Sequence, residues 1–401
     1  MIVGSGLHLT YCSNIHPGES WTAISAALRA ALPRIRTLLE FNGPLAIGLR
    51  LSADAALQLE QPETLAGFVR FLREGNYYVP TINGFPYGAF HGTHVKERVY
   101  LPDWREAARL DYSNRLASIL STLLAERPDI EGSVSTVPGA FRRDVAGDAD
   151  VRQMAANILR HAAYLVSLRM TTGAAITLAI EPEPACFMET VDDAVGFFTS
   201  YLFDDESIAK ASTETGIPLS PADVRRHIGI CLDVCHMAVE FEDPAQAVER
   251  LRIADIRILK IQVSSALRLE GHDPAALQHL LAPFAEDTYL HQVVERSPAG
   301  LRRYCDLPEA LSAVAAEHTA VAEREWRVHF HVPIFLPEMR GFATTQQYLA
   351  SVLALVRRHP PCHCLEVETY TWDVLPPEYR TTDMATAIAR ELAWARDQLQ
   401  A

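Results

Sequence analysis

The sequence predicts a single (β/α)8 barrel over residues 1–401. Short apolar strands, polar or Gly/Pro-rich loops and amphipathic helices alternate along the whole chain. That rhythm implies parallel strands joined by right-handed crossovers. No Gly-x-Gly-x-x-Gly and no P-loop follows a strand, which removes the usual reasons to choose an open, doubly wound sheet. A chain of 401 residues with this many units suits a closed barrel.

The elements follow in order. "LHLTYC" (7–12) reads as the first strand. Behind it Trp21, Ile24, Leu28, Ile35 and Leu38 recur at helical spacing. "LAIGLRLS" (45–52), "YYVPTINGF" (77–85), "GSVSTVPGAF" (132–141), "ITLAIEPEP" (176–184) and "IGICLDVCH" (228–236) are the next strands, each ahead of an amphipathic run. "RILKIQVSS" (257–265), "RVHFHVPIF" (327–335) and "CLEVETYTW" (364–372) bring the strand candidates to nine, one too many. The segments 257–265 and 327–335 therefore compete for one slot. Residues 266–326 read as an inserted helical excursion. Residues 203–227 are the most loop-like stretch.

Bulk properties narrow the function. The formal net charge is −14 and no basic run occurs, the opposite of a nucleic-acid footprint. No apolar run reaches the roughly 18–20 residues of a membrane span. "MIVGSGLHLTYC" lacks the pattern of a secretory leader. Seven scattered cysteines read as reduced thiols, and the expectation is a cytoplasmic protein. Cys231/Cys235 and Cys362/Cys364 have neither the spacing nor the partners of a zinc ribbon.

In a (β/α)8 barrel the chemistry sits at the C-terminal ends of the strands. Those ends offer Glu181 and Glu183, Asp233 and His236, Gln262 and Ser264, His329 and His331, and Glu366 and Glu368 with Tyr370. Asn83 ends the third strand, and His91 and His94 lie in the loop beyond it. His8 sits early in the first strand. Taken singly, each has a structural reading. A lone strand histidine is usually a hydrogen-bonded core residue. Glu183, flanked by prolines, reads as a solvated group or a cap.

The combination points further. Carboxylates at the ends of several parallel strands face one small mouth. Desolvation and mutual repulsion would raise their pKa values there unless a cation is present. Glu, Asp, Glu and His form a donor mix suited to Mn, Zn, Co or Mg. Glu181 is expected as a ligand, and His236, three residues after Asp233, as a ligand or the group that orients one.

At these residues the chain resembles the xylose-isomerase-like TIM-barrel superfamily of sugar isomerases, epimerases and endonuclease IV-type enzymes. The resemblance implies a metal held by a Glu after strand five, an Asp with a nearby His after strand six, a His after strand seven and a Glu after strand eight. Glu181, Asp233 with His236, and Glu368 match three of those positions. At strand seven Gln262 stands where the His is expected. His331 supplies the nitrogen if "HFHVPIF" takes that slot. A second resemblance covers nearly the whole chain. "LTYCSNIHPGESW", "TINGFPYGAFHGTHVKERVYLPDWR", "STVPGAF", "LKIQVSSAL", "HFHVPIF" and "LEVETYTWDVLP" are similar to EboE-type metabolite-traffic proteins. This implies processing or traffic of a secondary-metabolite precursor beside a sugar-phosphate cyclase-like enzyme, with contact to pathway enzymes including a membrane prenyltransferase.

Three functions follow as expectations. The first is a metal-dependent isomerase or epimerase acting on a polyol, cyclitol, sugar or sugar phosphate. Glu181 or Glu368 would be its general base, and His236 would orient or shuttle. Asn83, His91, His94, His8, Gln262 and Tyr370 would contact substrate, with "NGFPYGAFHG" as a lid stacking on a ring. The second is a metabolite-binding carrier or scaffold that performs no reaction. The third is a metal-dependent phosphoesterase acting on a small metabolite.

Overall fold

Eight of the nine apolar segments pair side by side and in parallel. In the computed structural model, which describes residues 1–401 except 5, 272, 317–322 and 381, they are β1 (Leu7–Tyr11), β2 (Leu45–Arg50), β3 (Tyr77–Asn83), β4 (Gly132–Thr136), β5 (Ile176–Ile180), β6 (Ile228–Asp233), β7 (Ile258–Val263) and β8 (Cys364–Val367). From β2 to β8 every residue is buried. Strands covered by helices outside and by a packed barrel interior have no wet face, so they read as continuous apolar runs. The strands follow one another in order around the sheet, and β8 returns to pair with β1. A parallel bridge between Cys12 and Gly48 joins the ends of β1 and β2 and closes the barrel.

The contest for the seventh slot goes to 257–265. In β7, Gln262 is in register with Asp233 of β6 on one side and Glu366 of β8 on the other. The segment 327–335 lies outside the barrel. Its first residues belong to the antiparallel strand Glu325–Val328, and His329 onward runs free of any strand.

The insertion is mixed rather than helical. It holds the helices Pro274–Leu281 and Leu307–Ala315, but also the strands Leu267–Glu270, Val293–Ser297, Gly300–Tyr304 and Glu325–Val328. With Glu338–Met339 and Phe342–Thr344 these form a second, six-stranded antiparallel sheet. Its apolar face buries Val293, Leu269 and Trp326. On the other face Arg268, Arg296 and Arg327 converge on Glu325 at 3.0, 2.5 and 2.7 Å. These cross-strand charges mask the alternation that marks a strand. Residues 272 and 317–322 of the insertion lie outside the described residues.

The stretch 203–227 also differs from its loop reading. It forms the helices Asp205–Thr215 and Pro221–His227, capped by the side chains of Asp204 and Ser220. Their polar composition hides two short helices that rest on caps more than on a broad apolar stripe. Among the described residues no helix is long and apolar enough to cross a membrane.

Beneath the mouth the barrel interior is polar. Lys260 Nζ and Glu366 Oε1 lie 2.6 Å apart and both side chains are fully buried. Lys260 also donates to Ser135 Oγ at 3.2 Å. The Gln262 amide, with its nitrogen toward the carboxylate, donates to Glu366 Oε1 at 3.1 Å. Gly48 leaves the space that Glu366 fills: a Cβ there would overlap the carboxylate and lie 2.9 Å from the Tyr11 carbonyl. From the last helix, Met384–Gln400, buried Glu391 accepts from Thr369 Oγ1 at 2.6 Å and from Ile334 N at 3.1 Å. It ties the exit of β8 to the segment that carries His331.

Candidate metal centre

Four side chains converge above that layer. Glu181 is the first residue past β5, and its amide donates to Thr136 O at 3.1 Å. Asp233 ends β6 and caps the short helix Val234–Val239. Its Oδ1 accepts from His236 N at 3.0 Å and from Ser264 Oγ at 2.8 Å. That fixes the carboxylate and leaves Oδ2 aimed into the mouth. Glu368 follows β8, and its Oε1 accepts from Asn14 Nδ2 at 2.8 Å and Asn83 Nδ2 at 2.9 Å. His331 arrives from outside the barrel. Its Nδ1 lies 2.9 Å from the Glu368 carbonyl. A carbonyl only accepts, so Nδ1 carries the proton and Nε2 keeps its lone pair.

Ligand atoms of Glu181, Asp233 and Glu368 all lie within 4.8 Å of one another, as do those of Asp233, His236 and His331. His331 Nε2 is 3.8 Å from Asp233 Oδ2, and His236 Nε2 is 4.0 Å from the same oxygen. Glu181 Oε2, Asp233 Oδ2 and His331 Nε2 are buried and have no hydrogen-bond partner among the described residues. Buried polar atoms without partners are rare because each forfeits its hydration.

The electrostatics agree. Burial, then the charges of Glu368 and Asp233, push the Glu181 carboxyl well above its ordinary range. Burial, then Asp233 and Glu366, raise Glu368 to about 8. Burial lowers His331 to about 4, so its imidazole is neutral at pH 7. Two crowded carboxyls whose anionic forms burial and mutual charge disfavour and a neutral imidazole lone pair form a donor set that a divalent cation would satisfy. Three oxygens and one nitrogen suit Mn, Zn, Co or Mg. Glu181, Asp233, His331 and Glu368 are the residues that could hold it, with His236 beside them.

The surrounding groups are pinned. His236 Nδ1 lies 2.8 Å from Pro182 O, and its Nε2 is 3.2 Å from His329 Nε2. His329 Nδ1 lies 2.6 Å from Gln292 Oε1, and Tyr370 OH is 3.4 Å from His329 Nε2. Glu183 is not solvated. It is buried, and its Oε1 accepts from Tyr100 OH at 2.8 Å and Gln292 Nε2 at 3.2 Å. Burial raises its pKa. Gln292 and Tyr100 were not legible as site residues, because each reaches Glu183 from a distant stretch of chain.

A cavity opens above these residues. Of the residues expected at the site, Asn83, His236, Tyr370, Glu181, His331 and Glu368 line it. Four other expected substrate contacts stand apart. His8 lies at the start of β1, at the opposite end of the barrel, with Nδ1 2.9 Å from Tyr78 OH. Gln262 points into the interior below the mouth, engaged with Glu366. His91 turns toward Glu19, with Nδ1 3.9 Å from Oε1. His94 is exposed on the outside of its loop. The loop turns Phe90, Val95, Lys96 and Val99 to the cavity instead.

No family model matches the chain, and no curated protein matches it in sequence. Solved structures do match. One is a xylose isomerase-like TIM-barrel protein from Mycobacterium smegmatis in complex with magnesium, at 11% identity over 100% of this chain and 99% of that one, TM-score 0.49. A second is the probable 3-DHS dehydratase AsbF, involved in petrobactin synthesis, from Bacillus anthracis, at 13% identity over 96% and 98%, TM-score 0.44. A third is the IOLI protein with a binding zinc atom, at 12% identity over 98% of both chains, TM-score 0.43.

Proposed function

We propose that the chain is a metal-dependent isomerase or epimerase acting on a polyol, cyclitol or sugar-like small molecule. The observation that carries this reading is the convergence of three buried, unpartnered donor atoms, Glu181 Oε2, Asp233 Oδ2 and His331 Nε2, with Glu368 under one cavity. A divalent metal bound there would take two vicinal substrate oxygens and polarise a carbonyl. Glu181 or Glu368 takes a proton from the carbon beside that carbonyl and returns it to the neighbouring carbon on the same face, or the other of the two delivers a proton to the opposite face. Asn14 and Asn83 hold Glu368 in one orientation. His236, anchored by the Pro182 carbonyl, orients Asp233 or shuttles the proton. In the same reading, the resemblance to EboE-type proteins makes the substrate a secondary-metabolite precursor, the compartment the cytoplasm, and pathway enzymes, a membrane prenyltransferase among them, the neighbours.

The carrier reading drew support from Gln262 in the strand-seven position. His331, coming from outside the barrel, supplies a nitrogen there, so that support weakens. Elemental analysis of the purified protein tests the metal. About one equivalent of a divalent metal is expected, and it is lost in Asp233→Ala and Glu181→Ala. Unchanged stoichiometry in Glu181→Ala refutes the assignment. Solvent deuterium entering a carbon-bound position of a ketose or keto-cyclitol, seen by NMR, tests the proton transfer.

A further inference from the structure

We propose that this site takes an uncharged ring bearing two vicinal oxygens and rejects phosphorylated or otherwise anionic forms of the same molecule. The inference rests on the metal-centre reading above and adds the substrate class. It comes from the roof of the cavity. Phe90, Tyr289 and Tyr370 meet there with ring centroids 5.1, 5.4 and 5.1 Å apart. They come from three separate segments: the loop after β3, the insertion, and the exit of β8. All three line the cavity together with Glu181, Glu183 and Glu368. Aromatic faces of this kind hold the C–H face of a ring through area and quadrupole, with no need for charge.

The cavity has no cation to spare. Among the described lining residues Lys96 is the one lysine or arginine, and its ammonium is occupied. Lys96 Nζ donates to Asp306 Oδ2 at 2.7 Å and to the Glu286 carbonyl at 2.9 Å. The amides of Val95 and Lys96 both donate to Thr288 O at 2.9 Å. Lys96 therefore clasps the loop to the insertion, and its ammonium is engaged there rather than free to receive an anion. The floor adds the carboxyl groups of Glu181, Glu183 and Glu368 and no further lysine or arginine among the described lining residues. An anionic substituent would give up its hydration there without a free side-chain cation to replace it, and a cost of that kind sets specificity as firmly as attraction does.

Titration calorimetry of the full chain loaded with Mn²⁺ tests this, with myo-inositol and myo-inositol 1-phosphate as probes. Myo-inositol is expected to bind, and its phosphate at least about 100-fold more weakly. Tyr289→Leu and Phe90→Leu keep apolar volume but remove the ring face. Each is expected to weaken myo-inositol binding by roughly tenfold with bound Mn²⁺ unchanged. Phosphate binding equal to or tighter than that of the neutral ring overturns the proposal. So does bound Mn²⁺ without binding of myo-inositol, or full binding in both leucine variants. A wild-type protein that holds none of Mn²⁺, Zn²⁺, Co²⁺ and Mg²⁺ overturns the metal-centre reading itself, and this inference with it.

Discussion

Replacing Glu368 with glutamine should stabilise the metal-free protein while removing most of the stability that metal confers. The Glu368 carboxyl has an ordinary value of 4.5 and is raised to about 8 by burial, Asp233 and Glu366. A raised carboxyl keeps its proton in the folded chain and loses it in the unfolded one. The stability this contributes is complete below about 4.5 and lost as pH rises toward 8. At pH 7 the loss is about 3 kcal/mol, from roughly 1.4 kcal/mol for each pH unit above 4.5. Glutamine has nothing to ionise, and its oxygen can still accept from Asn14 and Asn83, which now bind Oε1. In EDTA at pH 7, Glu368→Gln is therefore expected to unfold with up to about 3 kcal/mol more stability than wild type. At pH 5 the advantage falls below about 1 kcal/mol. With Mn²⁺ at a hundredfold excess over Kd the wild type gains about 2.7 kcal/mol, whereas the variant, short of one anionic ligand, gains under about 1 kcal/mol. Urea unfolding followed by circular dichroism reads all three quantities. A variant no more stable than wild type in EDTA, or an advantage independent of pH, refutes the electrostatic reasoning. An equal gain from Mn²⁺ refutes the role of Glu368 as a ligand.

Three further outcomes are expected. Lys260→Met leaves Glu366 charged and alone in the barrel interior, at a cost of roughly 3–5 kcal/mol; Lys260→Met with Glu366→Leu recovers most of it in the same urea assay. Gly48→Ala drives a Cβ into the Glu366 carboxylate and toward the Tyr11 carbonyl. It should destabilise by more than about 3 kcal/mol, and Glu366→Ala in the same chain should relieve part of that. Burial raises Glu391 to about 7, so wild type loses stability as pH climbs from 4.5 to 7. Glu391→Gln should flatten that slope, with a difference near zero at pH 4.5 and about 3 kcal/mol at pH 7.5 in denaturation curves.

Much of the barrel was legible because its signals are local. A parallel strand buried on both faces announces itself as an apolar run, and the residue at its C-terminal end must face the mouth whatever the rest of the chain does. Asp233 and the pairs Glu181/Glu183 and Glu366/Glu368 could be named on that ground, and the resemblance chose Glu181 and Glu368 within their pairs. The pair Asp233 and His236 was legible for the same reason, since an N-cap and the third residue of the helix it caps are neighbours by covalent geometry. Glu366 and Glu368 alternate on one strand, but depth divides them: one enters the interior ion pair and the other the mouth.

The remaining features depend on which distant segments meet. His331 was expected as the nitrogen donor on condition that its segment took the seventh slot. Pairing gave that slot to β7, 258–263, and His331 reaches Glu368 from outside the barrel instead, because strand competition is settled by neighbours and not by the strand's own residues. The loop histidines His91 and His94 gave way to Phe90, Val95 and Lys96 because the loop is clasped to an insertion some 190 residues later through Lys96 Nζ and the Glu286 carbonyl. By itself, then, the sequence determined a (β/α)8 barrel and the carboxylates at its mouth. Only the tertiary structure decided the imidazole that joins them, the burial of Glu183 and the aromatic roof. The physical reason is that strand ends are placed by local periodicity, whereas a ligand or a lid arriving from elsewhere in the chain is placed by long-range packing that leaves no local trace.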